Sequence, residues 1–162
     1  MAARTHELKV TLPSDREIVL VREFDAPRHL VFEAWTKPEY VKQWWGPRGS
    51  TLSVCEIDLR IGGEWRFVNQ MPDGTEHPFR GVYREIAPPG RLSYTWIYDV
   101  APFNEHEAIE TSALEERDGR TVVTTTMVHE TKEARDGHVN AGMERGAAET
   151  MDRLEELLTR MA

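Results

Sequence analysis

The sequence predicts an α+β fold: a curved antiparallel sheet of about six to seven strands wrapped around a long C-terminal helix, with two short helices after the first strand. Three observations carry this. Between residues 138 and 161, Val139, Met143, Ala147, Thr150, Leu154, Leu157, Leu158 and Met161 recur at spacings of three and four, which marks one helix face. The middle of the chain divides into short runs rich in β-branched and aromatic residues, punctuated by Gly, Pro and Asp. A helix of that length extends about 36 Å, too far to be covered by a single helical neighbour, so a broad surface must wrap it.

Each element follows from local chemistry. After a polar lead-in over 1–16, the run Glu17 to Phe24 is β-branched and predicts the first strand. Asp25-Ala26-Pro27 begins a helix, with Pro27 in its first turn and Leu30, Val31, Ala34 and Trp35 as its apolar face. Thr36-Lys37-Pro38 ends it and opens a second, Glu39 to Trp44, stopped by Gly46-Pro47. Strands are expected over Thr51 to Asp58, Glu64 to Asn69, His77 to Ile86 and Arg91 to Tyr98. Their turns are Gly62-Gly63, Pro72-Asp73-Gly74 and Pro88-Pro89-Gly90. Ile109 to Glu116 and Thr121 to His129 flank Asp118-Gly119, the strongest short hairpin signal in the chain. The closing helix, 138–161, carries Glu149→Arg153 and Glu156→Arg160 in the favourable i,i+4 order. Gly142 and Gly146 lie beside its apolar face. They either allow close approach to the sheet or leave empty volume above it.

Bulk properties narrow the function. A chain of 162 residues fits one domain, here 17–162, with one sizeable core. A net charge of −8 without a Lys/Arg cluster argues against a nucleic-acid partner. The lone Cys55 cannot form an internal disulfide, and Met1 to Val10 lacks an apolar export core. No run is long enough to span a bilayer, so a cytoplasmic protein without a membrane partner is expected. The six histidines, His6, His29, His77, His106, His129 and His138, include no pair at a metal-ligand spacing, so no metal is expected. There is no nucleophile elbow, phosphate loop or dinucleotide fingerprint, and no cofactor is expected.

Several side chains remain as site candidates. Asp58 and Arg60 point to one side of the chain and form either an ion pair anchoring a loop or a reactive pair. Trp44 and Trp45 serve as core, cavity lid or stacking platform. Trp65 and Phe67 share a strand face, as do Phe79, Gly81 and Tyr83, and likewise Leu92, Tyr94, Trp96 and Tyr98. Such a face either fills the core or lines an apolar pocket, the usual form of a small-molecule site.

Longer motifs carry a family likeness: Arg22-Glu23-Phe24-Asp25-Ala26-Pro27, Val31-Phe32-Glu33-Ala34-Trp35-Thr36 with Pro38, Trp44-Trp45-Gly46-Pro47 and Asp58-Leu59-Arg60-Ile61-Gly62-Gly63. Asp73-Gly74, Gly81-Val82-Tyr83-Arg84-Glu85-Ile86, Pro88-Pro89, Arg91-Leu92, Gly142-Met143 and Arg153-Leu154 continue it. Over about residues 17 to 160 the chain resembles the START-like, helix-grip (SRPBCC) superfamily, most of all its branch named for the activator of the heat-shock-protein ATPase. The resemblance implies a fold whose members bind lipids, sequester drugs or cyclise polyketides in one cavity. It places Asp58 and Arg60 in a structural signature.

The two-residue loop at Asp118-Gly119 pairs Arg117 with Arg120, Leu114 with Val123, Ser112 with Thr125 and Glu110 with Met127. The resemblance turns that face toward the cavity, but Ile109, Val122 and Val128 make the opposite face equally apolar. If inward, Glu110 is a ligand contact or general base; if outward, a solvated glutamate.

The expected function is therefore binding of a small apolar, lipid- or polyketide-like molecule between sheet and C-terminal helix. The cavity set is Trp45, Trp65, Phe67, Phe79, Tyr83, Tyr94, Trp96, Ser112, Thr125, Met127, Gly142, Met143 and Gly146. The alternatives are a cofactor-free cyclase or hydrolase using Glu110, and a stress protein that engages a chaperone; a homodimer is a further possible assembly.

Overall fold

A computed structural model describes residues 6–161. Its strands are β1 (Lys9–Thr11), β2 (Glu17–Phe24), β3 (Thr51–Ile57), β4 (Glu64–Gln70), β5 (Glu76–Ala87), β6 (Arg91–Tyr98), β7 (Ala108–Arg117) and β8 (Arg120–Val128). All pair antiparallel in one sheet, ordered β1-β2-β8-β7-β6-β5-β4-β3. From β3 to β8 the chain is a meander. The first long strand, β2, returns to pair with the last, so α1 (Arg28–Thr36) and α2 (Pro38–Val41) carry the chain from one side of the sheet to the other.

The sheet has one strand more than the seven runs marked in the sequence. β1 lies within the stretch read as a polar lead-in, and it pairs Lys9, Val10 and Thr11 with Val21, Leu20 and Val19. Three mostly polar residues are too few for a strand signal; the open edge of β2 recruits them.

The C-terminal helix is also divided. α3 (Lys132–Asn140) is capped by Thr131, whose hydroxyl accepts from the Ala134 amide at 3.0 Å, and α4 runs Met143–Met161. Gly142 separates them with φ +84°, a left-handed conformation that terminates a helix and favours glycine. Apolar spacing alone carried the expected helix straight through this break.

Leu154, Leu157 and Leu158 of α4 are buried against Phe24, Val31, Trp44, Leu92, Leu114 and Val123. Buried and half-buried arginines tie the helix to its surroundings. Arg22 of β2, 2% exposed, meets Asp152 at 2.9 Å and Glu155 at 3.3 Å. Arg153 donates to the carbonyls of Gly46 at 2.9 Å and Pro47 at 3.1 Å, holding the segment that follows α2.

Candidate functional site

The hairpin β7–β8 has the register that Asp118-Gly119 predicts, with Glu110 opposite Met127 and Ser112 opposite Thr125. Its inward face is the one bearing Glu110: Ala108, Ser112, Leu114, Thr121, Val123, Thr125 and Met127 are buried, while Ile109, Val122 and Val128 keep more exposure.

On the adjoining strands this face gathers aromatic rings. Trp65 and Phe67 of β4, Tyr83 of β5, Leu92, Tyr94 and Trp96 of β6 and Glu110 of β7 line a cavity of about 50 Å³, bordered also by Trp35 of α1 and by Trp45. That volume holds about four waters. The rings support one another edge-on. Trp65 and Tyr94 lie 5.5 Å apart at 76°, Tyr83 and Tyr94 5.9 Å apart at 77°, and Trp45 and Phe67 5.1 Å apart at 71°.

Two local devices set the walls. Trp65 lies across β5 and donates its indole N–H to the Thr95 carbonyl at 3.1 Å. This passage exists because residue 81 is glycine: a Cβ there would fall 1.8 Å from the Thr95 oxygen and 2.4 Å from Trp65 Nε1. Trp45 is placed by its backbone. Its carbonyl accepts from Asn69 at 3.4 Å, and the next two carbonyls accept from Arg153. Trp44 turns the other way, is 1% exposed, and donates to the Ala34 carbonyl at 2.9 Å.

Glu110 is the cavity's only ionisable carboxyl. The Tyr94 hydroxyl, directly across on β6, donates to its Oε2. Burial pushes the Glu110 carboxyl above the ordinary carboxylate range, and the Tyr94 hydrogen bond offsets part of that rise. Burial also drives the Tyr94 hydroxyl well above its usual range, and the neighbouring carboxylate adds to the effect. At the far side of Trp96, His138 of α3 stacks on the indole at 5.0 Å and 17°, and His129 meets His138 at 3.1 Å. Burial depresses His138 to about 4, with His129 contributing, so the stacked imidazole is neutral at physiological pH.

Of the residues singled out in the sequence, Trp45, Trp65, Phe67, Tyr83, Tyr94, Trp96 and Glu110 meet at this cavity. Phe79 stands just behind it, 5.1 Å from Trp45 and 5.5 Å from Trp96. Ser112 and Thr125 are one rung away, satisfied by each other at 3.0 Å. Met127 packs with Ile18 and Ala108 in a second apolar cluster, which Met143 flanks. Gly142 and Gly146 neither approach the sheet nor line the cavity: a Cβ at either would meet nothing within 4 Å. The cavity wall opposite the sheet is thus α1 and Trp45 rather than α4. Trp35 and Leu92 complete the lining. Both stood on the correct faces in the sequence, Trp35 on the apolar side of α1 and Leu92 in line with Tyr94 and Trp96.

Asp58 and Arg60 form an exposed ion pair of 2.8 Å beside the Gly62-Gly63 turn, away from the cavity. Among the described residues no three His, Cys, Asp or Glu side chains are grouped to hold a metal, and no helix is long and apolar enough to cross a membrane.

Residues 25–159 match the family described as Activator of Hsp90 ATPase homolog 1-like protein. A crystal structure from Nitrosomonas europaea is 30% identical, covers 93% of this chain and 98% of its own, and superposes with a TM-score of 0.80. A solution structure from Arthrobacter aurescens is 25% identical over 94% of this chain and 91% of its own, with a TM-score of 0.83. A crystal structure from Rhodobacter sphaeroides, 24% identical over 96% and 100% of the two chains with a TM-score of 0.87, shares the fold. No curated protein matches the chain.

Proposed function

The chain belongs to the Activator of Hsp90 ATPase homolog 1-like family, and from that premise we propose that it binds a small molecule in the aromatic cavity over β4–β7. The observation that carries this reading is the void itself. Protein interiors pack with few holes larger than a water. This concave hollow of about 50 Å³, walled by aromatic rings, has the usual form of a small-molecule site. Its walls also hold a carboxyl group that burial disfavours in its charged form. That cost is offset when a ligand fills the space and meets the carboxyl. The volume favours a compact ligand over one of lipid or polyketide size.

An acid/base role is the second reading, favoured by the raised Glu110 carboxyl in contact with Tyr94. One experiment addresses both. ¹⁵N-labelled protein is titrated with a set of compact organic molecules, and the indole N–H signals of Trp35, Trp45, Trp65 and Trp96 are followed. Binding moves these four signals together, and Leu92→Phe, which fills the cavity, abolishes the movement. Signals that stay still at saturating concentration, or shifts confined to other surfaces, refute the binding site. A bound molecule recovered unchanged identifies a binder. Conversion that Glu110→Gln abolishes while binding persists identifies an enzyme.

A further inference from the structure

Resting on that binding reading, we propose that the cavity selects a compact alkylammonium group, held by the Glu110 carboxylate and the faces of the surrounding rings. The lining contains no Lys, Arg or His, so its only formal charge is negative. The Tyr94 hydroxyl engages Oε2, while no described residue donates to Oε1, although a carboxylate has about four acceptor sites. Glu110 retains some accessible surface, and that surface borders the void.

The rings make the same choice. An aromatic face carries the negative end of a quadrupole and attracts a cation, tryptophan most strongly. Four of the nine lining residues are tryptophans. Trp65 has already given its N–H to Thr95, which leaves the ring itself as its contribution to the wall. An anion here meets a carboxylate and π faces of the same sign. A neutral apolar molecule leaves Oε1 unsatisfied. An alkylammonium ion that keeps an N–H satisfies both: the N–H donates to Oε1, the charge neutralises Glu110 and the alkyl groups lie between the rings. Room for about four waters matches a head of about four heavy atoms, such as trimethylammonium.

The test compares trimethylammonium chloride at neutral pH, tert-butanol as a neutral donor of similar size, and sodium acetate as an anion, using calorimetry and the four indole N–H signals. Trimethylammonium is expected to bind at least about tenfold more tightly than tert-butanol, and acetate to leave the signals unmoved. In Glu110→Gln the cation's advantage shrinks to about threefold or less, while tert-butanol still moves the indole signals and reports an intact cavity. Trp45→Leu, at the half-buried wall, weakens the cation more than the alcohol. If tert-butanol binds as tightly as trimethylammonium, the cation preference is wrong and the cavity remains a binding site. If neither moves the indole signals, both this inference and the binding reading fall.

Discussion

Ser112 and Glu110 lie two residues apart on the inward face of β7, and their surroundings differ. Ser112 is 1% exposed, and its hydroxyl meets Thr125 at 3.0 Å. The next rung pairs Leu114 with Val123, which pack in the core that Leu154, Leu157 and Leu158 close. One rung the other way, Glu110 has a single hydroxyl donor, a ring of indoles and phenols, and a void. The contrast separates two uses of polarity in a core. Two hydroxyls, each donor and acceptor, can satisfy one another. A carboxylate with one donor cannot be satisfied by its protein alone, and its remaining capacity is available to a guest.

The largest expected effect tests the closed end. Leu154→Ala should cost about 2–5 kcal/mol in chemical denaturation, because α4 packs rigidly there and the hole cannot collapse. A loss near zero would mean that this end is as loosely filled as the other. The next sharpens the hydroxyl pair. Ser112→Ala alone should cost about 1–3 kcal/mol by leaving Thr125 unsatisfied, whereas Ser112→Ala combined with Thr125→Val should recover most of it. A double variant as unstable as the sum of the singles would show that the pair is not self-contained. The smallest effect is a gain. At Gly146 a Cβ meets nothing within 4 Å, so Gly146→Ala should raise stability by up to about 1 kcal/mol through helix propensity alone. A loss there would restore the idea that this glycine permits close packing.

Much of this arrangement was legible in the residues. The Asp118-Gly119 turn, with Asp118 at φ 53° and Gly119 at φ 78°, sets the whole β7–β8 register, because a two-residue loop allows only one pairing. Alternation along β4, β5 and β6 put the cavity rings on one face. Three features were not legible, for different reasons. Val122 and Val128 match the apolarity of Val123 and Met127, so the side that packs is decided by the rest of the sheet. The break at Gly142 is hidden because the apolar spacing continues across it, and Thr131, whose side chain caps α3, lies before the periodic stretch. The pairing of His129 with His138 arises from the fold bringing β8's end against α3, over eight intervening positions that no spacing rule covers.

All five tryptophans belong to one assembly: four border the void, and the fifth, Trp44, lies 5.0 Å from Trp35. The intrinsic ultraviolet emission of this protein therefore reports on a single place. Excitation anywhere among these indoles is within easy transfer distance of the cavity wall, so intensity and wavelength follow what occupies it. His138 stacks on Trp96, and burial depresses it to about 4, so the stacked imidazole is neutral over the working range. Tyr94, the hydroxyl partner of Glu110, lies 5.5 Å from Trp65 and feeds the same emitters. The molecule carries its own optical probe of occupancy, without a label.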